Sequence, residues 1–344
     1  MKKVSKIFIV LFVVAVVASL SLGLVACNND DNYSERYEGQ VIRFVAPQGT
    51  PALAMLRLVE DNPKLDGTKM KYDVVSPTLI STEMTNKTAD VVIMPINAGA
   101  NLIRQDKDNV LDYKLVSVAV EGSLFLVGKK DGGNEITLDD IKGKKVACIG
   151  QNNVPGLTFE YVLKQNNIGV IYSGEPKNNE VLIAYAGEAT DARTKYNNGS
   201  VQYMVVGEPA STMFKGALNL NAEMDIQKQY SILNPGVDSY PQAGLFVRTA
   251  LAKDKKFMDA LFDALDDSKD WVEDHPADVN AFAKAHLYEA ANFPAASIPR
   301  CAVDCDKLDN DDKNEIIAYF KKIMPKDSYN NDIDWDALKS KLFY

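Results

Sequence analysis

Apolar positions in this chain fall into three patterns. The first is an unbroken run over 7–18, preceded by the basic start Met1-Lys2-Lys3-Val4-Ser5-Lys6. The second is a series of short runs that predict strands at 41–46, 70–75, 90–94, 114–120, 124–128, 145–149, 181–185 and 202–206. Several are continuous, such as Val91-Val92-Ile93-Met94, and continuous runs suit parallel strands buried on both faces. Between them, helical spacing predicts helices at 51–60, 77–86, 97–105, 155–166, 190–197 and 209–217. The third pattern follows an isolated strand at 240–248. Phe257, Leu261, Leu265 and Val272 recur at helical spacing, as do Ile316, Phe320 and Ile323, and read as core-facing stripes.

The repeated strand–helix order predicts an α/β class, with mostly parallel sheets flanked by helices and a helical C-terminal extension. The turn-rich stretch Asp131-Gly132-Gly133-Asn134 interrupts the order. A second strand–helix series opens after it, at Leu138-Asp139-Asp140-Ile141. The expected organisation is therefore two lobes, the first from 39–125 and 245–344, the second from 126–244. The chain would cross between them near 124–130 and return near 240–248.

The N-terminal pattern changes the picture of where the protein works. A basic start, an apolar segment and a small-residue cleavage site make a secretory signal. Leu24-Val25-Ala26-Cys27 resembles the lipobox of bacterial lipoproteins, in which the cysteine becomes the first mature residue and carries diacylglycerol. Residues 1–26 then read as a lipoprotein signal peptide, Cys27 as the lipidated residue, and 27–38 as a flexible polar tether. The run over 7–25 is also long enough for an uncleaved membrane anchor. The position of the cysteine and the polar Asn28-Asn29-Asp30-Asp31-Asn32 after it argue for cleavage.

Charge narrows the partners. The chain of 344 residues carries a formal charge of −9, and losing Lys2, Lys3 and Lys6 with the signal takes it to −12. So acidic a protein does not bind nucleic acid through phosphate neutralisation. Its membrane contact is expected to be the lipid alone. Among the remaining cysteines, Cys148 lies in the apolar run Val146-Ala147-Cys148-Ile149 and reads as a buried thiol. Cys301 and Cys305 form a C-x-x-x-C pair. An oxidising compartment permits a disulfide between them, and a reducing one keeps two free thiols. No zinc-ligand spacing joins a cysteine pair to His275 or His286, so no metal is expected.

Four strand-end turns carry the candidate chemistry: Pro47-Gln48-Gly49-Thr50-Pro51, Pro95-Ile96-Asn97-Ala98-Gly99, Gly150-Gln151-Asn152-Asn153-Val154-Pro155 and Gly207-Glu208-Pro209-Ala210-Ser211. Each places small polar side chains and helix N-terminal N–H groups just past the carboxyl end of a strand, where ligands of open α/β sheets bind. The same residues also serve as plain helix caps. Candidate ligand contacts are Gln48, Gly49, Thr50, Asn97, Gln151, Asn152, Asn153, Glu208 and Ser211, with Tyr240 as an aromatic candidate. Glu208 is the only acid in the four turns, and none holds Arg or Lys. That favours a neutral polar or heteroaromatic ligand, or an anion held by backbone donors.

The order and spacing of several motifs resemble the solute-binding lipoproteins of bacterial ABC importers related to nitrate, sulfonate, taurine and thiamine-precursor binders. They are Ala89-Asp90-Val91-Val92-Ile93-Met94-Pro95-Ile96-Asn97, Gly143-Lys144-Lys145-Val146, Gly207-Glu208-Pro209-Ala210 and Tyr240-Pro241-Gln242-Ala243-Gly244-Leu245. With the lipobox they cover most of the chain up to about residue 250. The resemblance implies the two-lobed type II periplasmic-binding-protein fold. It implies capture of a small organic or oxyanion-bearing solute in an interlobe cleft, and delivery to a membrane permease with a separate ATPase. No cofactor is expected, and a monomer is. Within that resemblance the chain looks close to an uncharacterised branch that names no substrate. No G-x-S-x-G, H-E-x-x-H or Walker A pattern supports catalysis. An exported enzyme on the same fold and a surface sensor or interaction protein remain the alternatives.

Overall fold

The computed structural model describes residues 39–324, 326 and 330–344. The expected signal peptide at 1–26, the tether at 27–38 and Cys27 lie outside the described residues. From Gly39 the chain builds two sheets. The first is made from β1 (Val41–Pro47), α1 (Thr50–Leu53), α2 (Leu56–Asp61), β2 (Lys69–Val75), α3 (Ile80–Thr85), β3 (Val91–Pro95), α4 (Ile96–Gln105) and β4 (Tyr113–Glu121). Gly122 and Ser123 carry the chain across. The second follows as β5 (Leu124–Gly128), α5 (Leu138–Ile141), β6 (Lys144–Ile149), α6 (Val154–Gln165), β7 (Gly169–Ile171), β8 (Glu180–Ala186), α7 (Ala189–Asn197), β9 (Tyr203–Gly207), α8 (Ala210–Leu218), β10 (Ala222–Asp225) and α9 (Ile226–Leu233). Residues 234–240 return to β11 (Pro241–Arg248), which inserts into the first sheet. Then come α10 (Thr249–Ala252), α11 (Lys255–Asp274), α12 (Val279–His286), a 3-10 helix (Ala295–Arg300), α13 (Asn310–Ile323) and α14 (Trp335–Leu342).

Strand order is β2-β1-β3-β11-β4 in the first sheet and β10-β5-β9-β6-β8-β7 in the second. In the first, β1 pairs in parallel with β2 and β3. In the second, β6 pairs in parallel with β8 and β9, and β7 with β8. The sheets are mixed because the crossing strands enter each from the opposite end. Strand β11 is antiparallel to β3 and β4, and β5 is antiparallel to β9 and β10. Leu124 and Phe125 thus already lie in the second sheet, and Pro241 to Gly244 in the first.

The burial explains the elements. Val91, Val92, Ile93 and Met94 are all fully buried, as their continuous apolar run predicts. Each such side chain contributes roughly 1.5–3 kcal/mol relative to exposure. The helix predicted over 51–60 is broken at Ala54 and Met55. Ala52, Leu53, Ala54, Met55 and Leu56 are all fully buried. A straight helix turns one face inward, so five consecutive buried residues require the break. Strand β7 escapes the apolar pattern because it is only three residues, Gly169 to Ile171, and β10 because its four residues alternate Ala222 and Met224 with the acids Glu223 and Asp225.

The C-terminal region does not cover the first sheet alone. Helix α11 packs on α2, and α14 on α4 and β4, all first-sheet elements. Val303 and Lys307 bridge to Val120 and Ser117 on β4. Helix α13 packs instead on α6 of the second sheet, where Tyr319 Oη and Thr158 Oγ1 share a hydrogen bond of 2.6 Å. Its Tyr319 also stacks on Tyr240 and meets Tyr230 edge-on.

Candidate functional site

The strand-end turns border one cavity of about 430 Å³ between the two sheets. Both parallel centres present the carboxyl ends of their strands to it: β1, β2 and β3 on one side, β6, β8 and β9 on the other. Six prolines form much of the wall: Pro47, Pro51, Pro77, Pro95, Pro155 and Pro209. Their role is local first. Pro51 and Pro155 occupy the first helical turn, where a missing N–H costs nothing. The consequence is a rigid, carbon-rich surface interrupted by polar groups. Two glycines shape the turns. Gly49 has φ 100°, a region that L side chains rarely adopt, and starts α1. A Cβ on Gly156 would meet the carbonyl oxygen of Gly150 at 2.7 Å, so only glycine lets α6 start this close to its strand.

Of the predicted contacts, Gln48, Gly49, Thr50, Asn153 and Glu208 line the cavity. Thr50 is 2 % exposed and donates from Oγ1 to the carbonyl oxygen of Glu208 at 2.8 Å, joining the two walls. Asn97 does not line the cavity. It is fully buried and caps the neighbouring wall: Nδ2 donates to Asn152 O at 2.9 Å, and Oδ1 accepts from Val154 N–H at 3.2 Å. Gln151 and Asn152 are exposed beside the turn and do not line the cavity. Ser211 is buried behind it and donates to Glu208 Oε1 at 2.7 Å. Tyr240 is placed elsewhere, fully buried between Tyr230 and Tyr319. Gln242, two residues on at the start of β11, lines the cavity instead.

Glu208 presents its backbone to the cavity and its carboxylate away from it. Ser211 and Thr212 donate to the carboxylate at the start of α8. Arg300 Nε lies 2.6 Å from Oε1, with its N–H directed off the line, so that contact is electrostatic. Arg300 also grips Glu223 with both terminal nitrogens, at 3.0 and 2.9 Å. Burial pushes the Glu223 carboxyl up, and hydrogen bonds from Arg300 and Lys215 outweigh it and hold the group below its ordinary range.

Two further turns belong to the site and were not among the four. Pro77 and Thr78 follow β2, and Glu188, Ala189 and Thr190 follow β8. Both had the same strand-then-helix signature in sequence. The N-terminal ends of α1, α7 and α8 border the cavity. Pro51 has no N–H, Ala52 N–H bonds Gly49 O and Thr212 N–H bonds the Glu208 carboxylate, so α7 presents the freest helix-end donors, at Ala189 and Thr190. No Lys or Arg lines the cavity among the described residues. It can therefore hold acceptor-rich groups by backbone and amide donors, with the prolines contacting carbon. Cys301 and Cys305 are free, buried thiols. Burial pushes Cys301 up to about 12, against hydrogen bonding from Thr50. His275 stacks on Trp271, and His286 Nε2 lies 4.0 Å from Glu60, both away from the cavity. Among the described residues no cluster of His, Cys, Asp and Glu could hold a metal ion, and no helix is long and apolar enough to cross a membrane.

No protein-family model matches the chain, and no curated protein does. Solved structures do. An ABC transporter structure from Parabacteroides distasonis is 20% identical, covering 84% of this chain and 94% of that one, with a TM-score of 0.66. A ligand-binding component of an ABC-type import system from Staphylococcus aureus, solved with zinc bound, is 13% identical over 89% and 96%, with a TM-score of 0.62. The periplasmic aliphatic sulphonate binding protein of Escherichia coli is 14% identical over 86% and 91%, with a TM-score of 0.60. The chain shares the periplasmic-binding-protein fold with them. Identity this low shows the fold and leaves the ligand to the site.

Proposed function

We propose that this protein is the solute-binding component of an ABC importer, taking a small organic or oxyanion-bearing solute into the cleft between its sheets. The observation that carries the reading is a cavity bordered by strand ends of both sheets. A ligand there touches both walls only when they are close, so binding favours the closed form. A permease that prefers that form then receives loaded protein. Helix N-termini and the Gln48 and Gln242 side-chain amides supply donors for an oxyanion or another acceptor group. The proline walls suit the carbon part. On this reading the first lobe is built on the first sheet and the second lobe on the second, hinged at 122–123 and 234–240. No cofactor enters, and the acid–base groups of an enzyme are not gathered at the cleft.

The same proposal places the protein outside the cytoplasm, held by lipid on Cys27 as a monomer. Support comes from the lipobox-like Leu24-Val25-Ala26-Cys27. Cys27→Ala is expected to shift the protein out of the membrane fraction or leave it unprocessed. Wild-type partitioning and migration of the variant would refute the anchor.

The ligand itself is tested by mass spectrometry of small molecules released from purified, unrefolded protein. The released compound, added back at 100 times its dissociation constant, should stabilise the protein by about 2.7 kcal/mol. It should be recovered unchanged. Recovery of a converted product would favour an enzyme instead.

A further inference from the structure

Arg300 is anchored on one side of the cleft and bonded on the other. The 3-10 helix that ends at Arg300 packs on α11, which lies against the first-sheet helices α1 and α2. Just beyond it, Val303 bridges to β4 of the first sheet. Every side-chain partner of Arg300 belongs to the second sheet or its helices. Glu208 follows β9, Ser211 is in the first turn of α8 and lies 3.3 Å from Nη2, Glu223 is on β10, and the guanidinium sits 3.9 Å over the ring of Phe125 on β5.

We infer that Arg300 is a positioning residue for the proposed binding site, a latch that holds the Gly207-Glu208-Pro209 wall against the first sheet. The inference rests on reading the cleft as a site that closes. The Glu208 side chain has no exposure, and a buried carboxylate is costly without a cation beside it. Separating the sheets would draw Arg300 from Glu208 and Glu223 together. Closure would then be governed by the C-terminal segment as well as by the two crossing segments. Arginine is suited to this because its planar fork meets Glu223 bidentately and stacks on Phe125 at the same time. Lysine offers a point charge and neither feature.

Small-angle X-ray scattering and amide exchange of the ligand-free protein test the latch directly. Arg300→Gln should enlarge the radius of gyration and raise exchange at 207–213 by roughly tenfold or more, while peptides of β1 and β3 keep wild-type protection. Arg300→Lys should fall between the two, since it restores charge without the fork. Glu223→Gln removes the bidentate partner and leaves Glu208 paired, so it decides the matter should Arg300→Gln fail to fold. It should give a smaller change of the same kind. Wild-type scattering and exchange in the folded variants would overturn the inference, as would a rise in exchange spread evenly over both sheets. None of these readouts needs the solute. Absence of a released solute would count against the binding function alone. A solute found in a protein whose variants stay closed would count against the latch alone.

Discussion

Tyr319→Ala is expected to destabilise the protein by about 3–5 kcal/mol, the range for removing a large aromatic from a packed core. Tyr319 is buried on α13, with its ring centroid 5.7 Å from Tyr240 and 5.6 Å from Tyr230. It is the main aromatic contact between the C-terminal extension and the helices of the second sheet. The alanine variant leaves a cavity that three separate elements would have to collapse to fill, and each is held elsewhere. It also strands the Thr158 hydroxyl, which is fully buried and shares its hydrogen bond with Tyr319. Tyr319→Phe keeps the ring and loses that bond, so its cost should be about 1–3 kcal/mol. Urea denaturation checks both, read as a fall in midpoint at unchanged slope. An alanine variant within 1 kcal/mol of wild type, on the order of a surface substitution, would show that α13 is not docked as described.

Glu121→Gln should have the opposite sign and depend on pH. Glu121 ends β4, at the first crossing, and borders a second cavity of about 620 Å³ that also meets residues 236–239 of the return crossing and α13. Burial raises its carboxyl to about 7. The nearby Ser239 hydroxyl opposes the shift, and Asp304, Asp312 and Glu315 add like-charge repulsion. Asp238, Asp306 and Asp309 also line this cavity, with Lys307 and Lys322 as its cations. The folded protein therefore binds this proton more tightly than the unfolded chain. The contribution is fully present below the unfolded pKa near 4.5, and it is lost as pH rises through about 7. The full shift is worth on the order of 3 kcal/mol, which partial solvent access reduces. Glutamine carries no charge to bury. The variant should match wild type near pH 4.5 and exceed it by about 1–3 kcal/mol at pH 8. A stability difference that stays constant from pH 4.5 to 8 would show that Glu121 does not titrate in this range.

Nine of the eleven strands among the described residues were legible, because each of those is a short apolar run bounded by polar residues, while β7 and β10 are too short or too polar to show. Predicted and observed limits differ by a residue or two for β1, β3, β6, β8 and β9. The turns were legible for a related reason. Pro51, Pro155 and Pro209 mark helix starts whatever surrounds them. The apolar stripe of α13 was equally clear, yet its partner was not. Ile316 and Phe320 had to be buried somewhere, and periodicity does not say on which sheet.

Within the site, the sequence by itself determined where polar groups would stand on the backbone, just past the carboxyl ends of strands. That is local chemistry, set by neighbours a few residues away. Only the tertiary structure decided which of those groups face the cavity. Asn97 turns aside to cap α6 from the opposite wall, and Tyr240 is drawn into an aromatic cluster with Tyr230 and Tyr319. The Glu208 carboxylate is claimed by Arg300, which no local pattern pairs with it. The physical reason is the same in all three. A buried side chain takes the orientation that pairs its charge, bonds its amide or packs its ring, and the partner arrives from a part of the chain far away in sequence.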